Sequence, residues 1–174
     1  MSMAASPLFS DAVVVMGVAS CGKTTIGEAL AGYFSVPFTE GDKLHSPANV
    51  AKMSAGIPLT DEDRWPWLAQ VGAALQGTSG HIVSCSALKH SYRKAIQSAA
   101  GRSIKFIHLH GSVDVLQQRI ANRKGHFMPA SLLASQLATL EMPTADEAAI
   151  TIDIDQSTDD IVKTAVAFLH QGQN

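Results

Sequence analysis

The spacing of apolar and polar residues along the chain predicts strands and helices in alternation. Ala12 to Met16 is an unbroken apolar run rich in valine, which is typical of a strand buried on both faces. From about Lys23 to Phe34, apolar residues recur at the spacing of one helical face. The other predicted strands cover residues 36–39, 81–84, 104–109 and 149–154. The other predicted helices cover 47–55, 63–76, 89–99, 113–123, 129–140 and a last segment, with Asp63 and Ser157 as the N-caps of the second and the last.

This alternation predicts an α/β domain with a mostly parallel, five-stranded sheet flanked by helices. Ligands bind to such sheets at the carboxyl ends of the strands. Residues able to do chemistry follow four of the predicted strands at that edge, namely Gly17–Thr24, Asp42, Ser86–Lys89 and Gly111. We therefore expect one ligand site built from loops that are far apart in the sequence.

Length and composition narrow the class of protein. The 174 residues fit a single domain, and a hydrophobic content of 46% is enough for a full core. A net charge of -2 argues against a nucleic-acid-binding protein held by a broad basic face. No apolar run approaches the roughly 18 residues of a membrane span. Two cysteines without a disulfide framework favour a reducing compartment, the cytoplasm.

The segment from Gly17 to Thr24 carries the pattern G-x-x-x-x-G-K-T between a predicted buried strand and a predicted helix. In that context the backbone N–H groups of the loop and the positive end of the helix bind phosphate oxygens. Lys23 is expected to reach the β- and γ-phosphates, and the Thr24 hydroxyl is expected to bind Mg²⁺. The predicted contacts to a nucleoside triphosphate are Gly17, Val18, Ala19, Ser20, Cys21, Gly22, Lys23, Thr24 and Thr25.

The rest of the chain separates the classes of nucleotide-binding protein. A GTPase senses the γ-phosphate with D-x-x-G and reads guanine with N-K-x-D, and neither string occurs in the sequence. A large mechanical ATPase needs a longer chain. A small kinase, which needs a phosphate loop, an acceptor pocket and a lid, is the class that remains.

Five further motifs follow one another along the chain. They are Gly41-Asp-Lys-Leu-His45, Asn49-Val-Ala-Lys-Met53, Gly56-Ile-Pro-Leu-Thr-Asp-Glu-Asp-Arg-Trp-Pro-Trp-Leu68, Cys85-Ser-Ala-Leu-Lys89 followed by Tyr92-Arg93, and Arg123-Lys-Gly-His-Phe-Met128. In this order the motifs resemble the gluconate kinase (gluconokinase) family, and the resemblance covers nearly the whole chain from Val14 to about Phe168. The block that ends in Asp-Arg-x-Pro-Trp-Leu and the Cys-Ser-Ala-Leu-Lys block are very specific, whereas the phosphate loop is shared by many families.

The resemblance implies ATP-dependent transfer of the γ-phosphoryl group to the 6-hydroxyl of D-gluconate, giving 6-phosphogluconate for the pentose phosphate pathway. It also implies the P-loop fold of adenylate and shikimate kinases, ATP and Mg²⁺ as cofactors, and commonly a homodimer. Within a single domain over residues 1–174, a substrate-binding segment is expected at about 42–77 and a lid at about 119–140. The alternatives are a related kinase acting on shikimate or a nucleoside monophosphate, and a nucleotide-binding regulator that has lost catalysis.

On the acceptor side, Asp42 is expected to take up the proton of the gluconate alcohol or to orient that hydroxyl. Capping a turn is the alternative role. Arg64 is expected to bind the gluconate carboxylate with two of its nitrogens, unless it pairs with Asp61 or Asp63. His45 either hydrogen-bonds a sugar hydroxyl, supports Asp42 or packs within its loop.

Three further cations are predicted to face the substrate. Lys89 and Arg93 are four residues apart in a predicted helix, so they are expected to share a face toward the substrate anion. Lys52 is expected to add positive charge to the same pocket. The alternative for all three is a solvated position on the surface of a helix.

The predicted lid carries Arg119, Arg123 and His126 near Gly125, a candidate hinge. Arginines on a closing lid neutralise the transferring phosphoryl group, which accelerates well-studied phosphoryl transfers by about 10³–10⁵. Arg119 and Arg123 are expected to bind the nucleotide, one at the nucleotide and the other at its phosphates. Arg123 is also expected to act in catalysis, and His126 is expected to lie near the substrate. An ordinary charged helix end is the alternative interpretation.

Overall fold

A computed structural model describes residues 8–123 and 130–171, and its elements follow one another as the apolar pattern predicts. No helix in these two stretches has the length and apolar composition needed to cross a membrane. The strands are β1 (Ala12–Met16), β2 (Phe38–Glu40), β3 (His81–Ser84), β4 (Ile104–His110) and β5 (Ala149–Asp153). The helices are α1 (Lys23–Phe34), α2 (Pro47–Ser54), α3 (Asp61–Ala74), α4 (His90–Ala100), α5 (Val113–Asn122), α6 (Ala130–Thr139) and α7 (Thr158–His170).

The five strands form one sheet in the order β2-β3-β1-β4-β5, and every neighbouring pair is parallel, which confirms the predicted fold class. All five residues of β1 are buried, as expected for a central strand of a sheet covered by helices. The chain builds one side of the sheet with β2 and β3 and then crosses to the other side with β4 and β5. Open parallel sheets bind ligands at the point where the strand order changes direction, which here is beside β1.

Two local predictions are wrong. β2 begins at Phe38 rather than at residue 36, and Gly41–Leu44 forms a short 3-10 helix after it. Asp63 does not occupy the N-cap of α3. The Thr60 hydroxyl accepts the N–H of Asp63 at 3.2 Å, and the Asp63 carboxylate accepts the N–H of Thr60 at 2.9 Å. Because these bonds form a capping box around Thr60, α3 already begins at Asp61.

Two glycines let the chain approach the edge of the sheet closely where β1 and β2 end. A side chain at Gly17 would lie 2.6 Å from the sulfur of Cys21 and 2.7 Å from the carbonyl oxygen of Leu109. A side chain at Gly41 would overlap the carbonyl oxygen of Ser84. The loops that follow β1 and β2 therefore rest directly on neighbouring parts of the fold.

A buried ion pair fastens the segment between α6 and β5 to α4. The guanidinium of Arg93, which is 1% exposed, donates to the Glu147 carboxylate at 2.6 and 3.2 Å. It also donates to the carbonyl oxygens of Ala87 at 2.8 Å and Glu141 at 3.1 Å. Burial opposes ionisation of Glu147, but bonds from Arg93 and the N–H of Thr144 lower the pKa of Glu147 to about 2. Arg93 thus holds the fold together, which corrects the expectation that it faces the substrate.

We expect Arg93→Met to lower the free energy of unfolding by about 3–5 kcal/mol, because it leaves the charge of Glu147 without its partner. Chemical denaturation followed by circular dichroism measures this loss. Lys94→Met removes an exposed cation from the same helix. This matched control should change stability by less than about 0.5 kcal/mol. Unchanged stability combined with weaker substrate binding would restore the role predicted from the sequence.

His108 is a histidine that the fold keeps uncharged in the sheet. It is 1% exposed on β4, and its Nδ1 lies 3.3 Å from the hydroxyl of Thr151 on β5. Burial, with a smaller contribution from His110, lowers the pKa of His108 from 6.5 to about 4. Between these two pH values the unfolded chain binds a proton that the folded protein does not bind, so acid favours unfolding.

The contribution of His108 to stability should be complete above about pH 6.5 and should be lost as the pH falls toward about 4, with a total of about 3 kcal/mol. In urea unfolding at several pH values, the free energy of unfolding should therefore fall less steeply with decreasing pH for His108→Asn than for the wild type. His170→Asn, at an exposed histidine in the last turn of α7, is the control and should keep the wild-type slope. Equal slopes for His108→Asn and the wild type would contradict this account.

Candidate active site

The loop between β1 and α1, with the first turn of α1, forms a phosphate-binding cradle over residues 17–24. Gly17 and Gly22 have φ angles of 145° and 99°, and Ser20 is left-handed with a φ of 65°. The N–H of Gly17 donates to the carbonyl oxygen of Ser86 at 3.2 Å, which joins the cradle to the loop after β3. Because α1 begins at Lys23, the positive end of its dipole lies at the same place.

Lys23 and Thr24 of the cradle both donate hydrogen bonds to oxygen atoms. Lys23 Nζ donates to the carbonyl oxygens of Gly17 at 3.0 Å and Val18 at 2.9 Å. The Thr24 hydroxyl donates to the carboxylate of Glu40, the last residue of β2, at 3.2 Å. A hydroxyl and a carboxylate side by side are oxygen donors of the kind that Mg²⁺ prefers.

A cavity of about 330 Å³ lies between the cradle and residues of α2, α3 and α6. Its volume falls in the range of about 300–1,000 Å³ that small-molecule sites occupy. The walls combine the cradle, the segment after β2, the loop after β3 and the end of α5, as expected from strands that end at one edge. The predicted site residues that line it are Ala19, Ser20, Lys23, Thr24, Asp42, His45, Arg64 and Arg123.

Asp42 and His45, the residues predicted for the acceptor side, line the cavity, and Trp67 supports them. The rings of Trp67 and His45 stack with centroids 3.9 Å apart, and the indole N–H donates to the carbonyl oxygen of Gly41 at 2.8 Å. Burial lowers the pKa of His45, although Asp42 opposes the shift. The amide nitrogen of Asn49 lies 3.2 Å from Nδ1 of this neutral ring. Nδ1 therefore accepts from Asn49, and Nε2 carries the ring proton.

Tyr92 and Asp61 fix the guanidinium of Arg64 at the wall of the cavity. Arg64 Nη1 donates to the Tyr92 hydroxyl at 2.7 Å, and that hydroxyl donates in turn to the Asp61 carboxylate. Lys89 donates to the same carboxylate at 3.3 Å. Burial and the bond to Asp61 raise the pKa of Tyr92, so the phenol keeps its proton. The charge of Arg64 is thus held in place by a neutral partner.

Lys52 and Lys89 do not line the cavity, although both were predicted to face the substrate. Lys52 Nζ pairs with the Asp63 carboxylate at 2.8 Å. This bond, together with a second bond from the backbone N–H of Thr60, lowers the pKa of Asp63 to about 2. Lys89 pairs with Asp61 and is the N-cap of α4, with an extended backbone. Residues four apart share a helix face only when both belong to the helix. Lys89 and Arg93 therefore have different surroundings, which corrects the expected common face.

Arg119 and Arg123 occupy different places at the C-terminal end of α5. Arg119 donates to the carbonyl oxygens of Cys21 at 3.3 Å and Ile154 at 3.0 Å, so it bridges the cradle and the segment after β5. Arg123 is exposed and lines the cavity. α5 ends one residue before Arg123, which explains why the two arginines diverge. His126 and the centre of the predicted lid lie outside the described residues.

Glu40, Tyr92 and Gln136 are residues of the site that were not predicted from the sequence. Glu40 stands two residues before Asp42 at the end of β2, a position that could have indicated it. Tyr92 lies within a family motif, but its contact with Arg64 depends on how α3 and α4 pack. Gln136 of α6 accepts the N–H of Ala19 at 2.7 Å across 117 residues, so no local pattern reveals it.

Comparisons with known proteins agree with the geometry. The shikimate kinase family model matches residues 19–170. The gluconokinase of Gluconobacter oxydans (strain 621H) is 48% identical over 158 residues, which cover 88% of each chain. The thermosensitive gluconokinase of Escherichia coli (strain K12) is 42% identical over 142 residues, covering 79% of this chain and 75% of that protein.

A solved structure gives the same result. The crystal structure of a gluconokinase from Sinorhizobium meliloti 1021 is 49% identical and superposes with a TM-score of 0.87, covering 94% of this chain and 93% of that chain. The resemblance found in the sequence motifs is therefore confirmed. The chain belongs to the gluconokinase family, within the broader group that the shikimate kinase model describes.

Proposed function

We propose that this protein transfers the γ-phosphoryl group of ATP to the 6-hydroxyl of D-gluconate and releases ADP and 6-phosphogluconate. The observation that carries the proposal is the cavity lined together by Lys23, Asp42 and Arg64. A phosphate-binding lysine, a carboxylate for the alcohol and an arginine for the acid are what a sugar-acid kinase needs. The name of a relative that is 48% identical over 88% of this chain supports the same substrate.

The reaction breaks the bond between the γ-phosphorus and the bridging oxygen of ATP and forms a bond from that phosphorus to the acceptor oxygen. The N–H groups of the cradle and Lys23 balance the charge of the phosphates, and Arg123 adds a cation from the end of α5. Arg119, which bonds both the cradle and the segment after β5, supports the nucleotide side of the site.

Asp42 is the proposed acceptor of the hydroxyl proton. It lies at the carboxyl edge of the sheet just after β2, and it lines the cavity with Lys23 of the cradle. Its carboxylate orients the alcohol in line with the γ-phosphorus and takes up the proton as the new phosphorus–oxygen bond forms. His45, with its proton on Nε2, is a donor for a neighbouring gluconate hydroxyl.

Thr24 and Glu40 fit a magnesium ion, because a hydroxyl and a carboxylate 3.2 Å apart supply the oxygen donors that this metal binds. Thr24 belongs to the cradle and Glu40 ends β2, so the pair connects the phosphate side with the strand that leads to Asp42. Bound by these residues, Mg²⁺ would neutralise charge on the β- and γ-phosphates.

The family resemblance supports a homodimer, and the cysteines support the cytoplasm as its compartment. Cys21 and Cys85 are free thiols, which is typical of proteins in a reducing compartment. Burial raises the pKa of Cys85 to about 12, so that thiol stays protonated. The net charge of -2 favours a small-molecule substrate over nucleic acid as the partner.

With Mg-ATP, the purified protein should release ADP when gluconate is added, and shikimate, glucose or AMP should not replace gluconate. Asp42→Asn keeps the size of the side chain but removes its charge, so kcat should fall by about 10²–10⁴. A coupled assay for ADP measures both results, and phosphorus NMR of the product identifies the phosphorylated oxygen.

Glu28→Gln is the matched control, because it removes a carboxylate from the exposed side of α1 and should keep the wild-type kcat. ADP release with a different acceptor alone would overturn the proposed substrate and keep the kinase chemistry. ATP binding without turnover on any acceptor would favour the regulatory alternative. Wild-type turnover by Asp42→Asn would remove Asp42 from the reaction.

Arg64→Lys should raise the KM for gluconate about 10–100-fold, since losing charged hydrogen bonds costs about 1.5–3 kcal/mol and lysine cannot bind a carboxylate with two nitrogens. The KM for ATP should change by less than about threefold. Arg102→Lys is the matched control, at an arginine that bonds the carbonyl oxygens of Leu75 and Ser79. Steady-state kinetics measures both constants, and equal rises in the two KM values would contradict the assignment.

A further inference from the structure

Gln136 connects α6 to the cradle through its side chain. The N–H of Ala19 donates to Gln136 Oε1 at 2.7 Å. A backbone N–H can only donate, so the carboxamide must turn its oxygen, and not its nitrogen, toward Ala19. The Nε2 group, with two N–H donors, therefore lies at the opposite end of the carboxamide.

Gln136 belongs to the same cavity as residues predicted for the nucleotide side and for the acceptor side. It lines the cavity together with Lys23 of the cradle and Asp42 after β2. Leu133, three residues earlier on α6, is 2% exposed and belongs to the core, so the helix that carries Gln136 is fixed in place. A positioned amide side chain thus lines the same cavity as the lysine of the cradle and the carboxylate predicted to orient the acceptor.

We propose that Gln136 is a further catalytic residue, whose Nε2 donates a hydrogen bond to an oxygen of the phosphoryl group during its transfer. This role rests on the proposed kinase activity and deepens it. No covalent bond forms to Gln136 and no proton leaves it, because its amide only stabilises charge on the phosphoryl oxygens. Removing one donor of this kind from an active site lowers kcat by about 10²–10³.

The competing role is that Gln136 only attaches α6 to the cradle through Oε1. The two roles use opposite ends of the carboxamide, so two substitutions separate them. Gln136→Glu keeps an oxygen for the N–H of Ala19 and replaces the Nε2 donor by an anionic oxygen. Gln136→Met keeps the length of the side chain and removes both polar ends.

If Gln136 is catalytic, kcat should fall by about 10²–10³ in Gln136→Met, which removes the donor, and by more in Gln136→Glu, since the carboxylate also repels the phosphoryl group. The KM for gluconate should stay within about threefold of the wild type in both variants. Gln70→Glu is the matched control, because it makes the same change on the exposed side of α3 and should keep the wild-type kcat.

Calorimetric titration with ADP, fluoroaluminate and gluconate gives a readout that does not depend on turnover. Fluoroaluminate takes the place of the phosphoryl group in transfer, so its complex reports binding of the transition state. Both variants should bind this combination more weakly, by about the same factor as their loss of kcat, and should bind ADP alone within about twofold of the wild type.

Wild-type kcat in Gln136→Glu with a loss in Gln136→Met would leave only the attachment role and overturn the catalytic one. Equal losses of affinity for ADP alone and for the fluoroaluminate complex would overturn it too. If circular dichroism shows that one variant is unfolded, the affinities of the other variant for ADP alone and for the fluoroaluminate complex decide between the two roles. A wild-type protein that does not phosphorylate gluconate would instead overturn the proposed function, which keeps the two failures distinct.

Discussion

The candidate site depends on the burial of β1 at the centre of a parallel sheet. Because β1, β2 and β3 are parallel neighbours in the sheet, the loops that follow them emerge together at the carboxyl edge. Close backbone packing then sets the positions of two of these loops, since neither Gly17 nor Gly41 has room for a side chain. The cradle and Asp42 are therefore held by the main chain and the sheet rather than by flexible side chains.

The division of charge follows from the first turn of α3. Asp61 and Asp63 lie at the positive end of that helix, where negative charge is stabilising. Asp61 also pairs with Lys89 at 3.3 Å, and Asp63 pairs with Lys52 at 2.8 Å. Two cations are thereby engaged outside the cavity, where they stabilise the contacts of α3 with α2 and α4. The cations that do line the cavity are Lys23, Arg64 and Arg123. They can then match an anionic nucleotide and an anionic sugar acid without a surplus of positive charge.

The parts of the fold that depend on local patterns could be predicted from the sequence. The buried run of β1, the glycine-containing cradle and the position of Asp42 after a strand each need only a few neighbouring residues. Arg93 could not be assigned in this way, because its partner Glu147 lies 54 residues away and only the packed structure brings them together. The same holds for Gln136, whose contact with the cradle depends on where α6 returns to the core. Lys89 was misjudged for a different reason, since a shift of one residue in a helix start changes the direction of a side chain.

Trp67 gives this protein an optical reporter of its acceptor side. Its indole stacks on His45 and lines the cavity, whereas Trp65, the other tryptophan in the sequence, is 40% exposed. Indole emission responds to charge and polarity beside the ring, so a ligand bound beside His45 would change the light emitted by Trp67. Binding at this wall of the cavity can thus be followed in the unlabelled protein, separately from catalysis, and Trp65→Phe leaves Trp67 as the single tryptophan emitter.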